Sequence, residues 1–164
     1  MRRVHVKVSV AAVLLALGLS ACGGSDETAN QASAAVTAQI EEICADLNHS
    51  YADRGEFPLA DFDPENPNAA DLPAVGRYFA AGLEAQPRAI ASLKGLTPTA
   101  EQREEVDALV EAWEAQYASA KTQVRAALAS DAPSFVATLD AAAASNEAVS
   151  AATSALGVPD CGQG

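Results

Sequence analysis

Within "IEEICADLNHSYAD", Glu42, Asp46 and His49 follow one another at steps of four and three, and Asp53 lies one turn further on. On a helix that spacing puts two carboxylates and an imidazole on one face, a donor set that takes zinc or another divalent ion. A catalytic zinc wants a further histidine or thiolate, and the other histidine, His5, lies in the N-terminal segment. The competing reading of Glu42, Asp46 and His49 is a solvated acidic helix face.

Other chemistry is sparse. No GxSxG elbow and no phosphate-cradling glycine loop is present, and the serines sit in alanine-rich stretches with no histidine nearby. An enzyme would have to work with carboxylates alone, and nothing marks out a pair, so the chain is expected not to be an enzyme. The acidic loop "DFDPENPNAAD" carries oxygen ligands for calcium but lacks the central glycine and closing glutamate of an EF-hand. Glu101, Glu104, Glu105, Asp107, Glu111 and Glu114 form a negative run that suits either a basic partner or plain solvent. Trp113 and Tyr117, one turn apart, either line an interhelical ligand groove or fill a core.

The address is clearer. "MRRVHVKVSVAAVLLALGLSAC" places Arg2, Arg3 and Lys7 before an apolar run and small residues before Cys22, the order of a secretory signal over 1–21. "LSAC", Leu19–Cys22, resembles the lipobox of bacterial lipoproteins. That resemblance implies a diacylglyceryl group on the Cys22 sulfur and cleavage just before it. It also implies a lipid-anchored chain at the extracytoplasmic face of the cell membrane, with no cofactor beyond the covalent lipid.

Removing 1–21 takes away Arg2, Arg3 and Lys7 and no acid, leaving seven basic against 22 acidic residues, so the formal charge moves from −12 to −15. Such a surface repels nucleic acid and anionic headgroups. Outside the reducing cytosol, Cys44 and Cys161 are then left as a pair, and a disulfide between them is the economical reading. Two free thiols are the competing one.

Helices must position all of this. "GGSDETANQ" reads as a flexible tether, so that residues 22–30 stand the domain 31–164 off the membrane. Val36, Ile40, Ile43, Leu47 and Tyr51 mark a first helix over 31–53. Residues 54–73, rich in proline and acid, make a long connection onto which Phe57, Leu59 and Phe62 fold. A second helix over 73–94 is expected to bend near Pro87 and end at Gly95. The third has Thr97 as N-cap, Pro98 at its first position, and an unbroken stripe of Val106, Leu109, Val110, Trp113, Tyr117, Ala120, Val124 and Leu128. The fourth starts at Asp131 with Pro133 in its first turn, carries Phe135, Val136, Leu139, Ala143, Val149, Thr153 and Leu156, and ends at Gly157. The fold class is all-α, an antiparallel four-helix bundle stapled by one disulfide.

Setting "IEEICADL" beside the tail "ALGVPDCG", the chain resembles small helical lipoproteins of actinobacteria, with a cysteine early in the first helix and an ending of Leu156, Gly157, Cys161 and Gly162. The resemblance implies a membrane-tethered extracytoplasmic helical domain without supplying a reaction. The function expected is a binding or interaction module of the cell envelope, its partner an envelope protein or a small ligand and not nucleic acid. The alternatives are a metal-binding protein using Glu42, Asp46 and His49, and a structural envelope spacer.

Overall fold

The computed structural model describes residues 24–161, which form six helices and connecting loops without a strand among them. The expected signal segment 1–21, the lipidation residue Cys22, and Gly162 lie outside the described residues. The helices are α1 Gly24–Ala52, α2 Leu72–Leu83, α3 Gln86–Lys94, α4 Arg103–Leu128, α5 Ala132–Val136 and α6 Leu139–Ala155. They make the expected bundle, with the second segment divided into α2 and α3 and the fourth into α5 and α6. Helix α4 is the hub, flanked by α2 and α6, and α1 lies along α3.

Most helix boundaries have a local cause. Helix α1 begins at Gly24 instead of near residue 31, so the part of the expected tether from Gly24 onward is helical. No proline or glycine interrupts Glu27–Ala35, and Ala, Glu and Gln extend a helix already nucleated by its packed portion. Residues 27–32 are exposed, and packing starts at Val36. Pro87 sits in the first turn of α3, where its missing N–H is harmless, which is why the second helix breaks there.

The start of α4 differs from expectation. Thr97 and Pro98 lie before it, and Arg103 is its first residue. The Thr99 hydroxyl accepts from Gln102 N–H at 3.3 Å, while the Gln102 amide donates to Ser33 O at 3.2 Å and Thr37 Oγ1 at 3.3 Å. A tertiary tie to α1 thus outweighs the local signal at Thr97.

At α5, Asp131 caps as expected, its Oδ1 accepting from Ser134 N–H at 3.1 Å. The chain then breaks at Ala137 and Thr138 before α6. That break rotates the inward face, so Ser145 is buried and Ala143 exposed. Helix α6 ends in a Schellman pair, Val158 N–H to Thr153 O at 2.9 Å and Gly157 N–H to Ser154 O at 3.1 Å, with Gly157 at φ 74°. Helix α4 ends the same way, Asp131 N–H to Ala126 O and Ser130 N–H to Ala127 O, both 3.0 Å, with Ser130 at φ 58° in the glycine position.

Cys44 and Cys161 are joined in a disulfide, Cα to Cα 4.9 Å, 117 residues apart. Asn48 Nδ2 adds a bond to Asp160 O at 3.0 Å, so the tail is tied to α1 twice.

Two apolar cores result. The first unites Val36, Ile40 and Leu47 of α1 with Ile90 and Leu93 of α3, Val106 to Trp113 of α4, and Val149 and Leu156. The second joins Leu72 and Val75 of α2, Ala126 and Ala127 of α4, and Phe135, with Leu59 and Phe62 of the long connection packed on it. Phe57 stays 36 % exposed but meets Tyr78 edge-on at 5.1 Å and Phe62 at 5.7 Å. The stripe on α4 is not unbroken: it is interrupted between Trp113 and Val124, and Leu128 at its end is 48 % exposed.

Candidate functional site

The interruption on α4 is where the site forms. Between Trp113 and Val124 the positions that line this space are Gln116, Ser119, Ala120 and Gln123. Opposite them α6 presents Ala142, Ser145, Asn146, Val149, Ser150 and Thr153. Small and polar side chains on two facing helices leave volume that Leu or Phe would fill. The space is an open-sided cavity of about 610 Å³, lined also by Phe79, Gly82 and Leu83 of α2, by Gln86 of α3, by Tyr51 and Arg54, and by Pro159 and Cys161 of the tail. That volume is within the usual range for small-molecule sites.

A relay of side-chain amides spans the cavity wall. Gln86, only 1 % exposed, donates from Nε2 to Gln116 Oε1 at 2.8 Å, and Gln116 Nε2 donates to Asn146 Oδ1 at 2.8 Å. Three helices are thereby joined by bonds running in one sense, with the Gln86 carbonyl and the Asn146 amide at the two ends. Ser145 Oγ donates back to Ala142 O at 2.9 Å and Thr153 Oγ1 to Ser150 O at 3.1 Å, which leaves both oxygens able to accept. Ser119 Oγ is buried without a hydrogen-bond partner.

Arg54 supplies the cavity's electrostatics. Its Nε donates to Tyr51 O at 2.9 Å, and its guanidinium carbon lies 4.6 Å from the Tyr51 ring centre and 4.9 Å from that of Tyr78. A Cβ on Gly82 would come within 2.8 Å of Arg54 Nη1, so the bare glycine is what lets the side chain lie across α2. Burial pushes the Tyr51 hydroxyl above its ordinary range, and the Arg54 charge pulls it partly back. No Asp, Glu or Lys lines the cavity, and among the described residues no carboxylate pairs with Arg54.

The sequence-predicted residues lie elsewhere. Trp113 is fully buried in the first core, Tyr117 packs on that core with Lys121 5.2 Å above its ring, and neither lines the cavity. Trp113 and Tyr117 thus face the first core, while the cavity forms at Gln116 and Ser119, whose smaller side chains leave space that the indole would fill. His49 Nε2 lies 3.7 Å from Asp53 Oδ2, both exposed. Asp46 and His49 share the wall of a separate hollow of about 310 Å³ with Arg88, and Glu42 is not part of it. Among the described residues no three His, Cys, Asp or Glu side chains gather into a metal-holding group. In the acidic loop, Asp63 Oδ1 instead accepts backbone N–H bonds from Glu65 at 3.0 Å and Asn66 at 3.3 Å. Glu101, just before α4, and Glu104, Asp107 and Glu111 on it face solvent, Glu105 is half-buried, and Glu114 pairs with Lys94 at 2.6 Å.

Arg54, Gln86, Gln116 and Asn146 escaped the sequence reading. One signal was there: Gln116 falls three residues after Trp113, on the apolar stripe itself, and an amide at an inward position needs a partner. Compared with known proteins, the chain matches no protein-family model, no curated protein and no solved structure.

Proposed function

We propose that the chain is a lipid-anchored binding module at the extracytoplasmic face of the cell envelope, without catalysis of its own, and that it holds a small polar ligand between α2, α3, α4 and α6. The observation that carries the binding half is the 610 Å³ cavity walled by the Gln86, Gln116 and Asn146 relay. The disulfide and the double tie of the tail keep that wall in register, the preorganisation that small-molecule binding rewards. The anchoring half rests on the lipobox-like "LSAC", which implies a diacylglyceryl group on Cys22. Stable anchoring takes more than one acyl chain, and no helix among the described residues is long and apolar enough to cross a membrane by itself.

Two measurements test the halves separately. Cys22→Ser should move the protein from the membrane fraction to the soluble one, and unchanged partition sinks the anchor. For the cleft, a metabolite library is screened by thermal shift on the full chain in detergent. A ligand at 100 times its Kd adds about 2.7 kcal/mol, and Ser119→Leu, which sets a larger apolar side chain into the cavity wall, should diminish the shift. If no compound stabilises the wild type in a Ser119-dependent way, the binding reading fails.

A further inference from the structure

Resting on that cleft, we infer that its ligand is a hydroxyl-rich carboxylic acid, a sugar acid, with Arg54 as the carboxylate anchor. In a chain of formal charge −12, this cavity has no acidic lining residue, and its single formal charge is the positive one on Arg54. The guanidinium is held before any ligand arrives: Nε is committed to Tyr51 O, and the Tyr51 and Tyr78 rings lie within 5 Å of its carbon. With the Nε edge taken, the terminal nitrogens remain to meet a carboxylate, and the fixed planar fork suits that group.

The remainder of the wall selects the ligand body. An ammonium group would find no carboxylate partner there, which counts against amino acids and amines, since an unpaired buried charge is expensive. Hydroxyls both donate and accept, which suits the Gln86 carbonyl and the Asn146 amide at the relay's two ends and the Ser145 and Thr153 oxygens, whose own hydrogens are spent and which can only accept. The C–H faces of a sugar ring match the apolar lining residues Phe79 and Leu83 of α2 and Val149 of α6.

Gly82 is a positioning residue in this scheme, because any side chain there displaces Arg54 Nη1.

The test is calorimetric titration of the full chain in detergent with glucuronate, glucose and glucosamine. Glucuronate should bind at least tenfold more tightly than either of the others. Arg54→Gln should weaken it at least tenfold, and Gly82→Ala should weaken it severalfold. Arg54→Lys should recover part of the loss. Equal binding of glucose or glucosamine, or no effect of Arg54→Gln, overturns the acid assignment while leaving the cleft standing. Heat from none of the three sugars overturns it as well, and the cleft itself is then judged by the Ser119-dependent library screen. Melting temperatures of the unliganded variants separate a lost anchor from a lost fold.

Discussion

Gln116 Oε1 accepts from the buried Gln86 amide at 2.8 Å, and the same Gln116 side chain passes a bond on to Asn146, so one residue of α4 holds α3 and α6 at the cavity wall. The arrangement is demanding, because an amide at 1 % exposure has no water to fall back on.

Gln116→Leu should therefore lower stability by about 1–3 kcal/mol, the penalty for a buried donor left without its partner. Urea unfolding followed by circular dichroism measures it. The double variant Gln86→Leu with Gln116→Leu should recover part of the loss, since both polar partners are then gone. A Gln116→Leu protein as stable as wild type would mean that the relay holds nothing.

Replacing both Cys44 and Cys161 by serine opens a closure of 117 residues. In the chain-entropy model such a loop is worth on the order of 4–5 kcal/mol, and losses of about 2–5 kcal/mol are usual. Comparing oxidised, reduced and serine forms by urea titration checks it, and reduction should match the serine variant. Because Cys161 also lines the cavity, ligand binding should weaken in parallel.

Two helix ends predict opposite signs. Ser130 occupies the left-handed position after α4 at φ 58°, where a Cβ costs about 1–2 kcal/mol. Ser130→Gly should stabilise by roughly 0.5–1 kcal/mol after the flexibility glycine adds to the unfolded chain. Gly157→Ala at φ 74° should destabilise by about 1 kcal/mol. Thermal melts of the two variants must move in opposite directions.

Gly76 lies where α2 packs tightly against the end of α4. A Cβ there would meet Leu128 Cγ at 2.9 Å and the Leu128 backbone nitrogen at 3.0 Å. Backbone cannot swing aside as a side-chain tip can, so Gly76→Ala should cost about 1–3 kcal/mol through overpacking, read in the same unfolding assay.

Alkaline stability should depend on Tyr51. Its folded hydroxyl titrates above the ordinary range because it is buried, with Arg54 opposing. Below about pH 10, the unfolded phenol value, both states are protonated and the stability is fully present. As the pH rises past that value the unfolded chain ionises first, so stability falls until the folded phenol also titrates. Tyr51→Phe should flatten that alkaline limb, and an unchanged limb would contradict the burial of the hydroxyl.

Much of the architecture could be read from single segments. Val36, Ile40 and Leu47 recur at helical spacing and are buried, Asp131 and Gly157 punctuate where their side chains or lack of one require, and Cys44 pairs with Cys161. These features depend on neighbours a few residues away, or on two cysteines with few alternatives, so a linear reading suffices. The tertiary structure alone decided the rest. Helix α4 starts at Arg103 because Gln102 reaches Ser33 and Thr37, some 65 to 69 residues away. The cavity exists because Gln116, Ser119 and Ala120 happen to oppose Ala142, Ser145 and Asn146. Arg54 dominates it because Gly82 makes room and the acids face outward. Empty volume and unbalanced charge belong to the space between helices, and no helix carries that information by itself.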